Sequence, residues 1–177
     1  VHRFGPHKGE IVLAQSLEPG DPSASAFSKP QLEFLTQLAD ALNTTLDLET
    51  LLRRVAGLVQ AVIDYKIFAI LLVNERAHDL RMRFQIGHTA EVERLRIPIG
   101  QGVVGEAASL RHPILVPDVR KIENYINANP HVRSELALPL ITRDRVIGVI
   151  DIQAEQPNYF KPEHLRLLEL TASRVAT

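Results

Sequence analysis

Two pairs of strand-like segments, within 67–86 and 135–153, bracket an irregular stretch over 88–132, and this arrangement most narrows what the chain can fold into. Ile67 to Val73 (IFAILLV) is a near-continuous apolar run, as expected of a central strand covered on both faces. Leu80, Met82, Phe84 and Ile86 then alternate with Arg81, Arg83 and Gln85, the pattern of a half-exposed strand. The second pair, about 135–142 and 145–153, joins through Thr142-Arg143-Asp144-Arg145, a short hairpin turn. A connection as long as 88–132 inside a compact domain is either functional or disordered. Its apolar anchors (Ile114, Val116, Val119, Ile122, Tyr125, Ile126) argue for order.

Helical patterns flank the strands. Leu32, Leu35, Leu38 and Leu42 form one stripe, a seam narrow enough either to cover the sheet or to pair with a second subunit. Asn43-Thr44-Thr45 interrupts it, and Asp47 suits the N-cap of a second helix with Leu48, Leu51, Leu52, Val55, Leu58, Val59 and Val62 on a broader face. A last helix starts at Lys161-Pro162-Glu163 and carries Leu165, Leu168, Ala172 and Val175 on one side. The order predicts an α+β fold: an antiparallel sheet of about five to six strands with helices on its faces. It does not give the βαβ alternation of a nucleotide-binding fold.

Composition removes several functions. The 177 residues carry 20 basic and 21 acidic side chains, a net charge of -1, and no basic run with interleaved aromatics, so neither nucleic acid nor membrane is an expected partner. No apolar run approaches a membrane span and the start lacks a signal-peptide pattern, which predicts a cytoplasmic location. The absence of cysteine removes disulfides, thiolate catalysis and thiolate metal sites together. Residues 1–29, with Gly5-Pro6 and Pro19-Gly20-Asp21-Pro22, are expected to be a partly disordered linker, and 30–177 one domain with its flanking helices. The chain begins at Val1 and closes within a helical pattern, the expectation being a piece of a longer protein.

Gly100, Gly102 and Gly105 spell G-x-G-x-x-G, but the short strand before them, with Pro98 inside it, and the stop at His112-Pro113 do not suit a dinucleotide fingerprint. Taken with Pro113 to Val119 (PILVPDV), Ser134 to Ile141 (SELALPLI) and Val146 to Gln153 (VIGVIDIQ), these glycines resemble the GAF domain, a ligand-sensing module of bacterial signalling proteins, over roughly residues 31 to 176. The segment from Leu38 to Ala176 is most similar to GAF domains that precede phosphatase domains controlling sigma factors, with those of histidine kinases and diguanylate cyclases close behind. The resemblance implies N- and C-terminal helices on one face of the sheet and, on the other, a pocket roofed by the irregular 88–132 excursion. Its expected ligand-binding residues are Val103, Val104, Val116, Asp118, Tyr125 and Ile126 in the excursion, with Phe68, Phe84, Ser134, Ala137, Pro139 and Asp151 on the strands. Five of them have a plainer reading: Phe68 and Phe84 as core, Asp118 as a turn cap, Tyr125 as a bond of the loop to itself, Asp151 as a solvated strand residue.

The resemblance implies an unidentified small-molecule ligand, a homodimer through the flanking helices, and a C-terminal effector domain that the last helix addresses. No cofactor is identified. A dimerisation module without ligand is the alternative function. The chain is not expected to be an enzyme: it has no H-E-x-x-H, no G-x-S-x-G and no histidine pair with metal spacing. The free methionine sulfoxide reductases of GAF type depend on cysteine, which closes that branch here. The N-K-x(n)-F-x(3)-D-E arrangement of cyclic-nucleotide-binding GAF domains is not found, and His88, His112 and His131 are the candidates for a haem ligand.

Overall fold

The computed structural model describes residues 12–13, 27–44, 47–122, 125 and 128–177. The elements in order are β1 (Val12–Leu13), α1 (Lys29–Thr44), α2 (Leu48–Gln60), β2 (Ile67–Asn74), β3 (Asp79–Ile86), α3 (Ala90–Glu93), β4 (Arg96–Pro98), α4 (Gly102–Leu110), β5 (Ile114–Val116), a 3-10 turn (Val119–Lys121), β6 (Ser134–Thr142), β7 (Arg145–Ala154) and α5 (Pro162–Val175). The strands form one antiparallel sheet in the order β1-β5-β6-β7-β2-β3-β4. Six of them match the expected α+β sheet. The seventh, β1, pairs with β5 (Val12↔Leu115) inside the stretch expected to be linker. The disorder expected for the rest of 1–26 lies outside the described residues.

Strand alternation divides the interior into two cores. On one face Phe68, Ile70, Leu136, Leu138, Ile150 and Ile152 pack against Phe34 and Leu38 of α1, Leu52, Val55 and Val59 of α2, and Leu167, Leu168 and Ala172 of α5. On the other, Ile67, Ala69, Leu71, Ala137 and Val149 meet Val103, Val104, Ala107 and Ala108 of α4, with Val116 and Val119 beside them. The small side chains of Ala69, Ala137, Ala107 and Ala108 let α4 lie close on the sheet. Asp47 caps α2 by accepting from the Thr50 amide at 2.7 Å, and Pro162 opens α5. The α1 stripe is divided. Leu38 is buried with Phe34 and Ala41, whereas Leu32 stays 52% exposed.

Two bulges alter the faces that simple alternation predicts. In β3 the register slips between Ile70↔Phe84 and Leu71↔Met82, so Leu80 and Met82 face α4 whereas Phe84 and Ile86 face the terminal helices. In β7 the pairing passes from Ile141↔Val146 to Leu140↔Gly148, leaving Ile147 as the extra residue. Among the described residues no helix is long and apolar enough to cross a membrane.

The glycine turn before α4 is built on backbone geometry. Gly100 sits at φ 88°, and a Cβ on Gly105 would lie 2.4 Å from the Pro98 carbonyl oxygen. Gly105→Ala is therefore expected to cost about 1–3 kcal/mol, read as a lower urea midpoint with an unchanged slope. An unaltered midpoint would contradict the close approach.

Candidate functional site

The chemistry on the α4 side of the sheet comes from β6 and β7. In their register Glu135 pairs with Gln153 and Ala137 with Asp151, which sets Glu135 and Asp151 as diagonal neighbours on one face. Both are deeply buried, Glu135 at 3% and Asp151 at 2% exposure. Gln153 Nε2 donates to Asp151 Oδ2 at 2.8 Å, and the Tyr125 hydroxyl donates to Glu135 Oε2. Asp151 Oδ1 meets no N–H or O–H donor among the described residues.

Burial of two carboxyls side by side fixes how many protons they hold. Burial first, and the neighbouring Asp151 charge second, push Glu135 well above the usual carboxylate range. Burial raises Asp151 to about 6, with the hydrogen bonds from Gln153 and Glu135 holding it lower than burial alone would. Two adjacent buried carboxylates cannot both ionise cheaply, so the pair keeps one proton near neutral pH. Carried on Glu135, that proton supplies the donor that Asp151 Oδ1 otherwise lacks. Burial and the Glu135 charge push the Tyr125 phenol far above its ordinary value, so it remains a donor.

An ion pair anchors the roof nearby. Arg133 forks onto Asp118 through Nε to Oδ1 at 3.1 Å and Nη2 to Oδ2 at 2.7 Å, and the Val119 amide donates to the Arg133 carbonyl at 2.8 Å. The Arg133 hydrogen bond holds Asp118 below its ordinary pKa. Asp118 also accepts from the Arg120 amide at 3.2 Å, so its carboxylate is committed to tying the 3-10 turn to the start of β6.

The structure divides the residues expected to line a pocket. Val103, Val104, Val116 and Ala137 lie together in the α4-side core, with Tyr125 and Asp151 at the acid pair. Asp118 is the roof anchor. Phe68, Phe84 and Ser134 lie elsewhere. Phe68 and Phe84 alternate onto the terminal-helix face, and the Ser134 hydroxyl donates to the Gln156 carbonyl at 2.7 Å. Pro139 lines a separate cleft at the sheet edge, and Ile126 lies outside the described residues. Sequence reasoning missed Glu135 and Gln153. A glutamate inside the apolar run SELALPLI was a usable signal, but the Ile147 bulge puts Asp151 on the same face. Without that extra residue, alternation from the Thr142–Arg145 turn would point the two acids to opposite faces. Among the described residues no three His, Asp or Glu side chains gather in a way that could hold a metal ion.

A family model for the GAF domain matches residues 45–177. The chain belongs to the GAF domain family. Among its relatives, GAF domain-containing protein A of Dictyostelium discoideum is 37% identical over 37% of this chain and 41% of that protein. Free methionine-R-sulfoxide reductase of Escherichia coli strain K12 is 35% identical over 34% of this chain and 36% of the relative. The alignments thus span about a third to two fifths of these curated relatives' own length. The GAF domain of an Acinetobacter phosphoenolpyruvate-protein phosphotransferase superposes with a TM-score of 0.76 at 21% identity, covering 85% of this chain and 92% of that one, a likeness of fold alone. Free methionine-R-sulfoxide reductase from Neisseria meningitidis, solved in complex with its substrate, gives 0.75 at 27% identity and covers 86% and 90%.

These relatives correct the expectation that the GAF domain here is not an enzyme. Proteins named as reductases share its fold over most of both chains, so the absence of familiar hydrolase and metalloprotease motifs was no guide to catalysis on this scaffold.

Proposed function

We propose that this GAF domain binds a free amino acid of the methionine sulfoxide class at the Glu135–Asp151 pair. The observation that carries the reading is the buried acid pair itself, with an Asp151 oxygen that meets no donor but the proton shared with Glu135, and a tyrosine hydroxyl on Glu135. An ammonium group would satisfy both carboxylates at once, at a depth where water cannot compete. The named substrate of the similar reductases belongs to the same chemical class. Reduction of a bound sulfoxide needs two electrons, and the chain has no cysteine to give them. An external dithiol would supply them and become a disulfide, the S–O bond would break, and the oxygen would leave as water. The two thiol protons leave with the oxygen in that water, and the chain's own part is to bind, orient and exclude bulk water.

The reading extends to signalling. Occupancy would reposition the roof, and α1 and α5, which meet across the other core, would pass the change to an effector domain in a cytoplasmic protein. Exposed Leu32 on α1 and Leu170 on α5 favour a second copy of the chain along these helices. The test is calorimetric titration of the chain with L-methionine (R)-sulfoxide, followed by assay of methionine formed in the presence of dithiothreitol. Saturable binding that Asp151→Asn weakens about tenfold or more is expected. Absence of binding by the sulfoxide, by methionine and by other free amino acids would end the proposal.

A further inference from the structure

Away from the acid pair, where β6 runs on past the end of β5, a cleft of about 270 Å³ opens between β6, α5 and the C-terminus of α4. Leu138, Pro139, Ile141 and Ala172 make its apolar lining, while Arg111, His112, Glu169 and Ser173 bring polar groups to it. Pro113 and Pro139 stand at this sheet edge, and neither offers an amide to an incoming strand. The edge is therefore unsuited to extension by a peptide, and the space is at the small end for ligand sites.

Arg111 is held there against its backbone preference. It ends α4 at φ 58° and ψ 33°, a left-handed conformation that glycine ordinarily supplies. Its guanidinium lies 3.9 Å from the carboxylate of the fully exposed Asp144, a pair long and wet enough to contribute little. A cation and the half-buried Glu169 thus border one apolar surface.

We infer that this cleft is a second binding site, for a free α-amino acid with a short aliphatic side chain. Its carboxylate meets Arg111, its ammonium meets Glu169, and its side chain lies over Leu138, Pro139 and Ile141. Because Glu169, Ala172 and Ser173 belong to α5, occupancy ties that helix to β6 independently of the acid pair.

The test is an NMR titration of the full 15N-labelled chain with L-leucine, and in parallel with 4-methylpentanoate and 3-methylbutylamine, which lack its amine and its carboxylate. Saturable shifts centred on Arg111, His112, Ile141, Glu169 and Ser173 are expected with L-leucine, and each truncated analogue should bind about tenfold more weakly. Arg111→Gly suits the left-handed backbone, so it should hold or raise the melting temperature while weakening leucine about tenfold. No saturable shift with leucine, shifts centred on Glu135 and Asp151 instead, equal binding of the analogues, or unchanged binding by Arg111→Gly would each overturn the inference.

Discussion

Phe68→Ala is expected to lower the unfolding free energy by about 3–5 kcal/mol and the melting temperature by on the order of 10 °C, while leaving ligand affinity at the acid pair unchanged. Phe68 is fully buried in β2 and faces α1, α2 and α5. Its ring lies 5.5 Å from Tyr65 and 6.4 Å edge-on from Phe84, so truncation removes two aromatic contacts as well as apolar area. Partial collapse by neighbouring aliphatic side chains sets where in the range the loss falls. Chemical denaturation and the sulfoxide titration, run on the same variant, separate core from ligand platform. A variant with native stability and abolished binding would return Phe68 to the ligand site.

Glu135→Gln is expected to stabilise the domain at pH 8 and to flatten its dependence on pH. The sign follows from the raised acids. Carboxyls whose folded pKa lies above the unfolded value contribute stability that is complete below the unfolded value and is lost as pH rises through the folded one. For Asp151 that window runs from 3.8 to about 6, a shift worth about 3 kcal/mol by the time the pH is neutral. Glu135 loses stability over a window that also begins near the ordinary carboxylate value and extends upward. Glutamine keeps the shape, can accept from Tyr125 and can donate permanently to Asp151. Removing the like charge should therefore raise the melting temperature by on the order of 5 °C at pH 8 and much less at pH 4. Thermal unfolding across that range reads it directly. Equal gains at both pH values, or a loss at pH 8, would show that the carboxyls are not sharing a proton. The same variant should bind the sulfoxide more weakly, because stability and the site draw on one group in opposite directions.

Much of the fold was legible because local rules agreed. The apolar run at 67–73, the turn at 142–145, Asp47 and Pro162 each specify an element and its end without help from distant chain. The site was less legible because it depends on which face a strand residue takes. Parity settles faces only while pairing is regular, and both relevant hairpins contain a bulge. The bulge in β3 divides Met82 from Phe84, and the one in β7 turns Asp151 toward Glu135. Resemblance places Phe68 at the pocket, and the sequence cannot correct this because an aromatic on a central strand fits either core. Arg133 was unreadable as the partner of Asp118, since the two meet only after the excursion closes over the sheet.

The measurement closest to the centre of the account is calorimetric binding of L-methionine (R)-sulfoxide at pH 7, repeated in two buffers of different ionisation enthalpy. An ammonium entering between Glu135 and Asp151 should displace the proton carried on Glu135, so binding is predicted to release about one proton, and none in Glu135→Gln, which has no carboxyl proton there to lose. Binding without proton release, or with the same release in that variant, would contradict a ligand held by the acid pair.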